Sequence, residues 1–307
     1  MVKWNEMIMR KRLVLLVFTL FMASCSRDPK VQAQRYLENG NKFYEKSKFK
    51  EASIMYRRAL QKDLRFGEAY YRLALADIKL ASYGDAVRAL RRAVELQPDN
   101  ADAAVKLSDI LMIAISQDRD HGEDLMKEAK QLADRLLEKD PNSYDGHRIE
   151  GQLALLRKDA PGAVKEFELA THAKPNQTDL SLAYFQALIS NQQAPEAEKL
   201  ALSVIEKNKN FSPMYDILYV YYMQNKRVPE AERILQRKVE SNPQQGSYLV
   251  ELAAHYLYTK QNDQVDGVIR RLGDEKQFPE GHLLAGDFLY FRARDFDRAR
   301  AVRGGSK

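Results

Sequence analysis

Residues 33–65 read AQRYLENGNKFYEKSKFKEASIMYRRALQKDLR, and residues 66–98 continue with FGEAYYRLALADIKLASYGDAVRALRRAVELQP. Within each stretch apolar residues recur at spacings of three and four, the period of an amphipathic helix, in two runs separated by a short polar turn. The stretches match each other at an offset of 34: Tyr36 with Tyr70, Gly40 with Ala74, Ala52 with Ala86, Tyr56 with Leu90, and Ala59 with Ala93. A fixed offset of this length means stacked helical hairpins rather than one globular core. Gly40 and Ala74 leave room where the first helix crosses its partner, Ala52 and Ala86 keep the second helix close, and Tyr56 and Leu90 fill the space between hairpins. Pro98 then stops a helix and lets the chain turn into the next.

The register continues downstream. Pro141 and Pro175 are 34 residues apart, and Pro243 lies 68 beyond Pro175. A fourth unit carries Gly151, Ala163, Phe167 and Ala170; a fifth has Phe185 at the small position and keeps Ala197; a sixth has Tyr219 there and keeps Ala231 and Leu235. A seventh runs through Leu249, Leu252, Ala253, Tyr256, Val265 and Ile269, and an eighth begins at Ala285 and Gly286 and reaches Ala299. The third unit is irregular, because Pro98 to Pro141 is 43 residues, nine more than the period. The polar stretch SQDRDHGE at 116–123 is the place for the excess, and an elongated loop is expected there. This recurrence resembles the tetratricopeptide repeat. The resemblance implies an all-α, right-handed superhelical solenoid of antiparallel helix pairs over 33–300, about seven repeats plus a partial one, with 301–307 a short tail or a truncated end.

Upstream, Lys3, Arg10, Lys11 and Arg12 precede the apolar run LVLLVFTLFMA at 13–23, which has the proportions of a secretory signal and is short for a membrane span. It ends in Met22-Ala23-Ser24-Cys25, and Cys25 is the only cysteine of the chain. This resembles the bacterial lipoprotein signal, which implies cleavage after residue 24, acylation of Cys25 and a lipidated tether over 25–32. Ser26 stands where an aspartate would resemble the inner-membrane retention signal, so the outer membrane is expected, with the repeats facing the periplasm or the cell surface. One thiol cannot form an internal disulfide, and acylation gives a secreted chain a reason to keep it.

Charge excludes one class of partner. The chain carries 49 basic and 43 acidic residues, but residues 1–24 hold four of the bases and one of the acids. The small excess that remains gives no electrostatic footprint for nucleic acid. His121, His147, His172, His255 and His282 are scattered, and no HExxH, GxxxxGK[ST] or GxSxG run occurs. Asp118, Asp120 and Glu123 lack the ordered spacing of a calcium loop. No enzyme, metal or cofactor is expected.

In the repeat family the first helix of each hairpin lines a concave groove for a peptide. Carried over by register, this implies Leu37, Asn41 and Tyr44 in the first unit, Tyr71, Leu75 and Ile78 in the second, and Arg148, Gln152 and Leu155 in the fourth. These combine apolar area with a few hydrogen-bonding groups, as a groove for an extended segment or a helix requires. Tyr221, in the aromatic run of Tyr215, Tyr219, Tyr221 and Tyr222, is a further candidate contact. The expected function is a lipid-anchored, non-catalytic scaffold for protein or peptide partners of the bacterial envelope. The alternative is an accessory module in assembly or export of outer-membrane or surface-polysaccharide components, with an associated glycan system.

Overall fold

The structure, a computed structural model, describes residues 28–117, 122–175 and 177–304. The leader, Cys25, residues 118–121 of the polar stretch and the last three residues lie outside them. Among the described residues the fold is a right-handed solenoid of antiparallel helix pairs. The pairs are α1 (Pro29–Glu45) with α2 (Phe49–Lys62), α3 (Gly67–Lys79) with α4 (Tyr83–Leu96), α5 (Ala101–Gln117) with α6 (Gly122–Lys139), and α7 (Tyr144–Leu156) with α8 (Ala160–Ala173). They continue as α9 (Ser181–Ser190) with α10 (Ala194–Lys207), α11 (Ser212–Gln224) with α12 (Val228–Ser241), and α13 (Gly246–Tyr258) with α14 (Asn262–Leu272). The last pair joins α15 (Gly281–Asp287), extended by a π-helical segment (Phe288–Ala293), to α16 (Phe296–Gly304). The chain divides into two compact units after Leu153, within α7. The first helix begins at Pro29, where Asp28 accepts a capping bond from the Lys30 N–H, four residues before the start the repeat pattern gave.

The column of small residues in the second helices is the densest part of each unit. Ala52, Ala86 and Ala129 in the first unit, and Ala163, Ala197 and Ala231 in the second, are all fully buried. Across from them the close crossing is literal at Gly40, where an added Cβ would lie 2.6 Å from Tyr56 Cδ1, inside the ring's contact surface. Phe185 takes the equivalent place in α9 and is 2% exposed, while its counterpart to Tyr56 is Ala201, fully buried in the same cluster. Large and small residues have changed sides, so the pair keeps its volume.

Every described turn from a first to a second helix is closed by one residue in the left-handed region: Ser47, Ala81, Lys158, Gln192, Lys226, Lys260 and Arg294, with φ from 57° to 61°. The following N–H reaches back five residues to a helix carbonyl, as Lys48 to Phe43 at 2.9 Å, Ser82 to Asp77 at 2.8 Å and Arg227 to Tyr222 at 2.9 Å. This is the Schellman closure, here made without glycine. In the last pair the Asp295 N–H reaches six residues back, to the Leu289 carbonyl at 2.9 Å. The π-helical segment absorbs that extra residue and lets Arg294 close the turn in the ordinary way.

The third pair differs from expectation. The surplus is not an elongated loop: α5 has 17 residues and α6 has 18, against 13 in α3 and 14 in α4. Ser116, Gln117, Gly122 and Glu123, read as loop from their polarity, lie in helix. Apolar residues continue through Ile110, Leu111 and Ile115, all at most 8% exposed, so the longer helix still buries a face.

Candidate functional site

The first helices of the residue 28–153 unit carry the expected groove residues, and the structure sorts them. Leu37 is 5% exposed and belongs to the core, so it supports this face from beneath. Asn41 is half-buried, and its Oδ1 accepts a hydrogen bond from the Tyr56 hydroxyl at 2.9 Å. That bond holds the ring beside Gly40, and burial pushes the Tyr56 hydroxyl pKa up to about 12. Tyr44 is half-buried and meets Phe49 edge-on at 5.1 Å between ring centroids.

Tyr71, Leu75 and Ile78 on α3 are half-buried and offer apolar area, and Tyr71 and Ile78 also pack on the core. Burial first, and then the charge of Asp102 on the next first helix, raise the Tyr71 hydroxyl pKa. The Arg72 guanidinium stands 5.8 Å from the Tyr71 ring centroid and bonds Glu68 at 2.6 Å. The strip continues on α5 through Val105 and Met112, both half-buried, with Ile113 54% exposed beyond them. Val105 and Met112 are Tyr71 and Ile78 advanced by one period, a signal the irregular third unit obscured.

On α7 the strip becomes polar. Arg148 is only 8% exposed and pairs with Asp109 of α5 at 2.9 Å and with Asp145 at 3.5 Å. Its charge is therefore spent within the protein. The Gln152 Oε1 is buried without a hydrogen-bond partner among the described residues, and Leu155, in the following unit, is half-buried.

In the residue 154–304 unit Tyr221 does not stand free. It is half-buried, with an edge-on contact to Phe185 at 5.9 Å and a tilted one to Tyr222 at 5.8 Å between ring centroids. Three polar centres there were not foreseen. Lys238 of α12, 1% exposed, donates to Asp216 of α11 at 2.6 Å and to Glu251 of α13, and lies 4.2 Å from the Tyr248 ring centroid. Burial alone would lower its pKa, but the two carboxylates outweigh that and raise it. Glu198 accepts from Arg227 at 2.7 Å and from the Tyr222 hydroxyl at 2.7 Å, and the Arg227 bond holds its pKa below the usual carboxylate range. His255 is 1% exposed, with Tyr219 Oη 3.4 Å from Nδ1 and Glu232 3.8 Å from Nε2. Its partners sit 36 and 23 residues back in the chain, and no spacing rule marks them.

A cleft of about 240 Å³ lies against α8, α9 and α10, lined by Thr171, Ser181, Tyr184, Leu200 and Lys207. It is smaller than an ordinary small-molecule site. Among the described residues no group of three or more His, Cys, Asp or Glu could hold a metal ion, and no helix is long and apolar enough to cross a membrane. What this geometry can do is bind: a half-exposed aromatic and aliphatic strip on successive first helices, bordered by internally paired charges.

A sequence model of the tetratricopeptide repeat matches residues 71–114 and 127–178, just under a third of the chain. No curated protein matches in sequence. Among solved structures, MamA from Desulfovibrio magneticus RS-1 is 13% identical, with 59% of this chain and 97% of that one aligned and a TM-score of 0.50. YrrB, described as a TPR protein with an unusual peptide-binding site, is 16% identical, with 63% and 95% aligned and a TM-score of 0.50. At such identities the likeness speaks to architecture alone, and it agrees with the turn, the alanine column and the helix pairing already described: the chain has the tetratricopeptide-repeat fold.

Proposed function

We propose that this chain is a non-catalytic scaffold that binds protein or peptide partners along the first-helix strip of its repeats, and that acylated Cys25 holds it on the bacterial outer membrane. The observation that carries the binding reading is the set Tyr44, Tyr71, Leu75, Ile78, Val105 and Met112. These stay half-exposed while residues one or two positions away, such as Leu73, Ala74 and Ala76, are buried. Six partly exposed apolar side chains aligned along successive first helices offer the kind of surface that an extended or helical ligand covers. A peptide-binding site is described for YrrB, which shares the fold, and the same kind of ligand is proposed here. The anchor rests on the leader and on the lone Cys25.

Crosslinking in native membranes followed by pull-down and mass spectrometry tests this reading, with the full gene product as bait. The expected result is a reproducible protein partner whose recovery falls about tenfold in a Tyr71→Ala, Ile78→Ala variant that melts like the parent. Recovery of glycan with no protein would replace the scaffold with the polysaccharide-accessory role. Cys25→Ser should remove the acyl mass while leaving the helical signal unchanged.

A further inference from the structure

Within the residue 154–304 unit the turns between paired helices fall on one edge, because successive first helices run in the same direction. The left-handed residue that closes each turn is a cation in four of the five: Lys158, Lys226, Lys260 and Arg294, all exposed, with Gln192 in the fifth. Nothing in the backbone asks for that choice, since asparagine or glycine suits the conformation better. Exposed Arg157 and Arg292 join them. Several carboxylates of the same turns are already engaged: Asp159 accepts from the Gly162 N–H at 3.0 Å, Glu230 from Arg227 at 3.0 Å, and Asp295 lies 3.7 Å from Arg298. Glu196, Asp263 and Asp297 are exposed on the first turns of α10, α14 and α16, three carboxylates against the six cations.

The same edge carries exposed rings. Tyr258 is 72% exposed, two residues before Lys260, and Phe291 is 68% exposed beside Arg292. Tyr290 is 45% exposed and Phe296 52%, and the Tyr290 ring meets Phe291 at 4.9 Å and Phe296 at 5.0 Å. The π-helical segment that includes Tyr290 and Phe291 fixes this cluster against the turn closed by Arg294.

We propose that this turn edge is a docking face for an anionic lipid surface, its cations set against headgroup phosphates and its rings in the interfacial layer. The excess of cations favours an acidic partner, and the rings narrow the class. They project from turns, 45% to 72% exposed, beside exposed cations, the arrangement that a soft interface of headgroups and acyl chains accepts. This contact is additional to any acyl anchor and does not depend on the partner-binding strip.

The test uses the mature chain, residues 25–307 carrying Cys25→Ser, so that neither acylation nor the apolar leader plays a part, in flotation with vesicles of phosphatidylethanolamine and phosphatidylglycerol, with phosphatidylcholine vesicles as control. The parent should float with the anionic vesicles only, and the association should weaken as salt rises. A triple variant, Lys226→Ser, Lys260→Ser and Arg294→Ser, should bind about a hundredfold less, near fivefold for each cation. A second variant, Tyr258→Ser with Phe291→Ser, keeps every charge and should still lose at least tenfold. Both should melt like the parent, because all five positions are exposed. Failure of the parent to float, or triple-variant binding equal to the parent's, overturns the proposal. So does unchanged binding of the ring variant together with equal affinity for soluble polyphosphate, which would reassign the edge to an acidic polymer.

Discussion

At the scale of single residues, the chain depends on a few positions where size or charge has no slack. Gly40 is one: any side chain meets the Tyr56 ring, whose hydroxyl is tied to Asn41. Gly40→Leu should cost about 1–3 kcal/mol through overpacking, read as a lower thermal midpoint, and an unchanged midpoint would remove the close crossing from the account. His255 is another. Burial lowers its pKa, so the fold prefers the neutral ring while the unfolded chain binds a proton below about 6.5. Stability should therefore fall as pH drops from 7 to 5. His255→Gln should flatten that part of a denaturation profile, and parallel profiles for the two chains would exclude this residue as the cause. The glycine was legible in the sequence because the repeat compares it with Ala74 and Gly151. The histidine was not, since its burial follows from which face of α13 meets Tyr219, and Tyr219 already departs from the pattern.

At the scale of helices, the departures have partners. Phe185 fills the small-residue position because Ala201 vacated the large one. Phe185→Ala should cost about 3–5 kcal/mol from the cavity left behind. Adding Ala201→Phe to that variant should recover part of the loss, giving a favourable coupling above about 1 kcal/mol in a double-mutant cycle. Additive effects would mean the two sites do not share a volume. The left-handed closures give a prediction of the opposite sign. Ala81 holds a φ of 57°, so Ala81→Gly should stabilise by roughly 0.5–1 kcal/mol, seen as a raised denaturant midpoint with unchanged slope. Reading along one sequence shows that Phe185 breaks the small-residue column. Reading across the column, against Tyr56 and Phe167, would have shown the exchange. The turns were located by polarity, but their conformation was hidden because no glycine announced it.

At the scale of the whole molecule, stability is local, since each pair in a solenoid rests on its immediate neighbours. Hydrogen exchange on Gly40→Leu should speed up in α1 to α3 and leave α11 to α14 protected as in the parent. Uniform acceleration would instead mean a single cooperative unit. The repeat period made the pairing of helices readable from end to end. It misplaced the surplus of the third pair, because a polar stretch suggests a loop when its neighbours in register are turns, whereas helix length is set by how far the apolar face runs.

That surplus has a geometric consequence. Counted from Ser108 and Ala129, the extra residues of α5 and α6 all lie toward the turn between them, about four on each helix. At about 1.5 Å of rise per residue the third hairpin overhangs the first two by around 6 Å. A straight-edged body laid along that margin of the unit would rest on the overhang and bridge over the turns at Ser47 and Ala81, so the margin is stepped rather than straight.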